Sequence, residues 1–293
     1  MTHTAQLADL RRADEPRFGG KSANLGELIA AGLPVPPGFA VAAIEYRSTL
    51  GEWLRAEISR RYEALGEHPV AVRSSAVGED SAEASFAGQQ ETFLWVVGAE
   101  RVCNAVRDCC ASLHGREAVA YRERMGGPKE PRMGVTVQRM VDAAVSGVMF
   151  TCNPVNGDPS TVAINASWGL GTAVVGGEVT PDEFRISKVT GEVLSRTIGP
   201  KQIEYVGSER SEVPAERQGV PCLDDEQLAT LVDMARRVER HFGCHQDIEW
   251  SLARDGSLFV LQSRPVTTAP KKDAGPARSA IELVMGTFGA NRR

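Results

Sequence analysis

At 293 residues, 42% hydrophobic and 24% charged, the chain has the material for more than one buried core and reads as globular. A formal net charge of −5 gives no footing for nucleic acid or an anionic membrane surface, and no apolar run nears the ~20 residues of a membrane span. Six cysteines without a C-x-x-C pair or zinc spacing, and a polar Met1–Arg17 stretch without the apolar segment of a secretory signal, lead to the expectation of a reduced cytoplasmic protein.

In chain order, Ser22–Ala31 predicts a helix, capped by Ser22 and stopped by Gly32 and the Pro34/Pro36/Pro37 cluster. Thr49–Leu65 predicts a second, with Trp53, Leu54, Ile58, Tyr62 and Leu65 at helical spacing and assigned to the core. Pro69–Val72 reads as a buried strand that runs into a small, hydroxyl-rich stretch from Arg73 to Thr92. Glu100–Met125 predicts a long amphipathic helix or helix pair, broken at Gly126-Gly127-Pro128. Met133–Gln138 and Ala144–Phe150 predict strands. Asp224–Phe242 predicts a well-periodic helix that ends at Gly243. Residues 246–251 and 258–264 alternate as two strands joined by Arg254-Asp255-Gly256-Ser257. Helices and strands intermix throughout, so the expected class is α/β (α+β) in two lobes. Residues 269–293 predict a tail or linker.

The terminal hairpin carries the most chemistry. Period-2 geometry puts Asp247 and Glu249 on one face of its first strand, and Gln262 and Arg264 on one face of the second. If the faces coincide, hard oxygens suited to Mg²⁺ meet a guanidinium suited to a bridged phosphate. The plain alternative is an exposed face with an ordinary acid–base pair. Upstream, Arg73–Thr92 has the small, Gly-punctuated character of a loop whose N–H groups close over phosphates, although it is not a Walker A loop. A flexible surface loop is the alternative there. Lys21 follows Gly19-Gly20 at a helix mouth, where backbone and charge can approach an anion; composition alone favours a solvated lysine.

Beyond single features, a set of motifs recurs in order. These are Gly19–Glu27, Val35-Pro36-Pro37-Gly38-Phe39, Arg73–Thr92, Gln138-Arg139-Met140, Ser146–Thr151, Ser167-Trp168-Gly169-Leu170-Gly171, Thr180–Phe184 and Asp247–Pro265. Over about residues 19–268 they resemble the ATP-binding domain of phosphoenolpyruvate synthase and pyruvate phosphate dikinase. They are similar also to rifampicin phosphotransferase and to the ATP-binding subunit of phenylphosphate synthase. The resemblance implies an ATP-grasp fold with ATP and Mg²⁺ bound between two lobes. Residues 1–137 would form the N-terminal lobe, with a phosphate lid at about 74–92, and residues 138–268 the lobe with the metal site.

By the same resemblance, Lys21 and Arg73 contact the ATP phosphates, Gly88 and Thr92 belong to the lid, and Gln138 and Met140 meet the adenine. Ser74, Ser75 and Ser85 are weaker lid candidates. Glu249 and Gln262 match the Mg²⁺ ligands, Arg264 a phosphate clamp, and Asp247 a supporting or catalytic carboxylate. The implied catalytic set is Lys21, Arg73, Asp247 and Arg264. The implied reaction moves the β,γ-diphosphate of ATP to a histidine on a separate swivelling domain. AMP and phosphate leave, and a small hydroxyl or enol acceptor (a phenol, pyruvate or an antibiotic) is finally phosphorylated. None of His3, His68, His114, His241 and His245 lies in a Thr-Ser-His type motif, so a transient partner carrying the phosphocarrier histidine and the substrate site is expected. The competing expectation is an ATP-sensing module without turnover. Three positions depart from the family pattern: Glu117 where arginine is usual, Thr172 where Gly-Leu-Gly-Glu ends in glutamate, and Asn153 where Asp-Pro is common.

Overall fold

The structure is a computed structural model that describes residues 2–43, 50–78, 91–113 and 132–266. The chain divides into two compact units, Met1–Met140 and a second that begins at Val141. This division lies three residues beyond the expected one, because Gln138 and Arg139 are still paired in the first unit's sheet. The expected tail, residues 269–293, lies outside the described residues.

The first unit is built on a five-stranded sheet of β1 (Thr4–Gln6), β2 (Gly38–Val41), β3 (Val70–Ala76), β4 (Thr92–Val96) and β5 (Met133–Arg139). Its order is β1-β2-β5-β3-β4, antiparallel throughout. Before β2 come the short α1 (Glu15–Phe18) and α2 (Gly20–Ala30); α3 (Glu52–Ala64) and α4 (Ala99–Ser112) follow later. Alternation decides what each sheet face does. Val70 and Val72 of β3 and Val135 and Val137 of β5 pack with Leu54, Ile58 and Tyr62 of α3 and Val102, Val106 and Cys109 of α4. The residues between them, Ala71, Arg73, Ser75, Thr136 and Gln138, point to the other face, where α2 is tied down.

Three expectations change here. Ser22 does not cap α2, since the helix starts two residues earlier with Gly19 as N-cap, and Ser22 is buried inside it. Trp53 is 53% exposed and tilts against the His3 ring, because α3 turns only Leu54, Ile58 and Tyr62 fully inward. Strand β3 does not stop at Val72 but continues through Ser74 and Ser75, which are buried, so the expected lid cannot begin at residue 74. The hydroxyl of Ser74 donates to the Glu91 carbonyl (3.3 Å). Positions 79–90 of that lid, Gly88 and Ser85 included, lie outside the described residues, as do His114 and Glu117.

The second unit centres on a six-stranded antiparallel sheet in the order β13-β12-β6-β7-β8-β9. Its strands are β6 (Ala143–Phe150), β7 (Thr161–Trp168), β8 (Asp182–Ser187), β9 (Val193–Thr197), β12 (Gln246–Ala253) and β13 (Leu258–Pro265). A separate hairpin pairs β10 (Ile203–Val206) with β11 (Glu209–Glu212). Short α5 (Thr172–Val175) and α6 (Ala215–Gln218) precede α7 (Asp225–Phe242), which packs against β12. The α7 start is a capping box between Asp224 and Gln227, and its stop is Gly243 in the left-handed region (φ 70°), as the sequence predicts. Among the described residues no helix is long and apolar enough to cross a membrane.

Candidate functional site

In the first unit, α2 delivers Lys21 to the polar sheet face. The delivery depends on Gly19, which has φ 80° and lies so close to Ser75 that an added Cβ would stand 1.9 Å from its carbonyl oxygen. The Ser22 N–H donates to Ser75 Oγ (3.1 Å), and the Ser22 and Thr136 hydroxyls share a hydrogen bond (2.7 Å). Lys21 is therefore not a solvated lysine: it is 6% exposed, and its Nζ donates to the Ser74 carbonyl (3.0 Å). That bond fixes the position of the ammonium against β3.

Arg73 lies in the middle of β3, paired with Thr136 on one side and Thr92 on the other, so Arg73 and Thr92 share the α2 face. Gln138 lies on that face as well, but not at an edge. Strand β5 is central rather than an edge, and the buried Gln138 amide donates one hydrogen bond to the Pro36 carbonyl (3.3 Å), just before β2. Met140 follows β5 half-buried, with its N–H given to the Pro69 carbonyl (2.9 Å).

In the second unit the register brings the predicted patch together. Asp247 pairs with Arg264 and Glu249 with Gln262, directly across β12 and β13. A bulge follows immediately, between Glu249 and Trp250. Arg264 Nε and Nη2 both donate to Asp247 Oδ2 (3.0 and 2.9 Å). The face is not an exposed one: Asp247 is buried, and Glu249, Gln262 and Arg264 are half-buried. Burial pushes the Asp247 carboxyl above the usual range, against the pull of the Arg264 cation, and the Glu249 charge adds to the rise.

The oxygen chemistry of this patch fits magnesium. Asp247 Oδ1 is buried without a hydrogen-bond partner, and beside it stand the Glu249 carboxylate and the Gln262 amide, all hard donors. Among the described residues no group of three or more His, Cys, Asp or Glu is placed to hold a metal. Magnesium is commonly held by one or two protein oxygens, with phosphate oxygens and water in its remaining positions.

The structure also shows polar residues that the sequence reading passed over. Antiparallel partners share a face, so the row Gln262–Glu249–Val148–Asn165 crosses four strands on the same side of the sheet. The next row joins Ser251, Ser146 and Ser167, and the first two share a hydroxyl hydrogen bond (2.6 Å). Asn165 precedes the Ser167-Trp168-Gly169 motif, and strand alternation was the signal available for it. Away from this face, His245 Nδ1 stands 2.8 Å from Glu239 Oε1, and the Asn153 side chain accepts from Val155 N (2.9 Å) in a turn. Both are engaged in local structure.

Comparison with known proteins agrees with the motif reading. The family model for the pyruvate phosphate dikinase AMP/ATP-binding domain matches residues 15–64 and 48–283. A probable phosphoenolpyruvate synthase of Methanothermobacter thermautotrophicus is 37% identical over 342 residues, with 99% of this chain and 50% of that protein covered. The phosphoenolpyruvate synthase of Pyrococcus furiosus is 35% identical, covering 94% of this chain and 45% of its own length. A rifampicin phosphotransferase of a Streptomyces species is 38% identical, covering 91% and 36%. The chain thus spans half or less of the length of these relatives. With the motifs in order across both units and the family model matching most of the chain, this protein belongs to the pyruvate phosphate dikinase AMP/ATP-binding domain family.

Proposed function

We propose that this chain is the ATP-using part of a dikinase-type phosphotransferase, an ATP-grasp module that binds MgATP and presents its β,γ-diphosphate to a histidine on a separate domain. The observation that carries this reading is the register of the last hairpin, with Glu249 opposite Gln262 and Asp247 opposite Arg264. A face that only recognised a nucleotide would have no need of a hard-oxygen pair beside a carboxylate-held guanidinium.

The first unit contributes Lys21 and Arg73, cations fixed on β3 and suited to phosphate oxygens. Thr92, beside Arg73, and Gln138 and Met140, at the end of β5 and just after it, are the nucleotide-contact positions of the family set among the described residues. In the second unit Asp247 accepts both Nε and Nη2 of Arg264, which fixes the plane of the guanidinium fork for a phosphate. Glu249 and Gln262 hold the cation, with Asp247 Oδ1 behind them. When bound, magnesium neutralises the charge that builds on the transferring phosphates and on departing AMP. The residues here act by position and charge rather than by forming a bond. The histidine that takes the diphosphate, and the site that receives the final phosphoryl group, belong in this reading to a partner domain that docks transiently. The acceptor is a small hydroxyl or enol.

The direct test is to incubate the chain with ATP, Mg²⁺, acceptor and a His-domain protein of the family, and to separate the nucleotides. AMP formed in step with phosphorylated product supports the reading. ATP that protects the chain from unfolding but is never converted to AMP, with any such partner, would identify a binding module instead.

A further inference from the structure

Among the described residues of the second unit, six buried polar atoms lack a hydrogen-bond partner; Trp250 Nε1 lies on the opposite sheet face and His245 Nδ1 sits beside Glu239, but the other four gather in one place. Asp247 Oδ1, Asn165 Oδ1 and Ser167 Oγ all belong to one face of its sheet. Thr172 Oγ1, likewise buried and unpartnered, opens α5. This short helix folds back over the same face: a Cβ at Gly171 would stand 3.5 Å from the Ser146 Cβ, and Val175 packs against Val148, Phe150 and Ala163. Buried polar groups in native proteins are almost always satisfied, so such a concentration marks a place where something polar binds. Asn165 is 2% exposed, and a leucine of nearly its shape would serve a dry core better.

The row Gln262–Glu249–Val148–Asn165 says what binds. Asn165 and Glu249 lie two strands apart, roughly 10 Å between backbones at ordinary sheet spacing. Side chains that stand perpendicular to the sheet across that gap leave room for a cation with a water beyond it. Magnesium gives up its waters reluctantly, and their protons need acceptors. We propose that Asn165, with Ser167 and Thr172, receives the water shell of the cation held by Glu249 and Gln262, and so acts as a positioning residue for that cation. This rests on the magnesium reading above. It adds three residues that no metal-ligand pattern in the sequence contains, because none of them touches the ion.

The test uses the whole chain and isothermal titration with ATP, first with Mg²⁺ and then with EDTA. Asn165→Leu should weaken binding of the magnesium complex by about ten-fold or more, the usual penalty for a lost outer acceptor. Metal-free ATP should bind as in the wild type, and the melting midpoint without metal should hold or rise. Asn165→Asp, almost unchanged in shape, keeps an acceptor and should retain tight magnesium-dependent binding. It therefore separates loss of the acceptor from misfolding. Glu249→Gln serves as the control for the underlying reading. If Glu249→Gln loses magnesium dependence while Asn165→Leu keeps it, the cation site stands and the water-shell role is overturned. If neither variant nor wild type shows magnesium dependence, it is the magnesium reading that has failed.

Discussion

At the scale of single residues, the hairpin pattern reached the chemistry because period-2 alternation and a short turn leave few registers open. Asp247, Glu249, Gln262 and Arg264 were therefore legible as a group, while their burial was not. Removing one oxygen ligand should be specific. Glu249→Gln and Gln262→Ala are expected to raise the barrier to AMP formation by about 2 kcal/mol or more, by analogy with a lost oxyanion donor. Their urea midpoints without metal should stay near wild type, since both positions are half-buried and the substitutions leave no deep cavity. Activity undiminished in Glu249→Gln would remove the metal assignment. Gly19 makes the opposite kind of prediction. Gly19→Ala places a Cβ 1.9 Å from the Ser75 carbonyl oxygen at a φ of 80°. It should cost more than about 2 kcal/mol of stability and displace Lys21 with the start of α2. A variant that melts with the wild type and binds ATP as tightly would show that α2 is not pinned there.

At the scale of elements, strongly periodic helices such as α7 were readable to their caps, and errors gathered where a neighbour decides. Ser22 looked like a cap because serine favours the position just before a helix, yet β3 and β5 absorb its N–H and hydroxyl. Gln138 looked like an edge residue because pairing order along a sheet is not written in local spacing. The least legible contact is a fully buried ion pair. Lys201 Nζ donates to Asp182 Oδ1 and to the Gly199 carbonyl (2.8 Å), and the carboxylate also accepts from Gly199 N (3.0 Å) and Cys222 N (2.8 Å). Asp182 thereby ties two loops to β8. Lys201→Met leaves that carboxylate buried without its counter-charge and should destabilise by about 3–5 kcal/mol in urea unfolding; a loss under about 1 kcal/mol would contradict the burial. Glu57 joins α3 to the start of β1. Burial works to raise its carboxyl, but hydrogen bonds from Thr4 Oγ1 (2.7 Å), Thr4 N (3.0 Å) and His3 N (3.4 Å) hold it below the usual range. A depressed folded value means stability present above the unfolded value and lost as pH falls through the folded one. Glu57→Gln should therefore melt below wild type near neutral pH, and the gap should close in acid. A gap that stays constant from neutral pH into acid would count against this network.

At the scale of the whole molecule, each unit is complete as a sheet with its own core, but the chemistry proposed here ends at a donor. ATP's diphosphate needs a nucleophile, and the family's acceptor is a neutral imidazole. His245 faces Glu239 and His3 faces Trp53, and neither sits in a phosphocarrier motif. The purified chain is accordingly expected to bind MgATP with at most trace hydrolysis, and to form AMP when a His-domain partner and acceptor are added. Rapid AMP release by the chain alone, or a stable phosphohistidine on its own His114 or His245, would overturn the division of labour.

The amino-acid sequence by itself determined the class of fold, the family, the helix and strand periods, and which side chains share a face within each strand of the last hairpin. All of these depend on neighbours a few residues apart or on motifs kept whole along the chain. Only the tertiary structure decided that Lys21 is buried against β3, that Gln138 lies on a central strand and donates to the Pro36 carbonyl, that Glu249 stands opposite Gln262, and that Asn165 and Ser167 share a face with Glu249. Those outcomes depend on which strands lie side by side, and strand order is set by packing across the entire sheet rather than by any local stretch of chain.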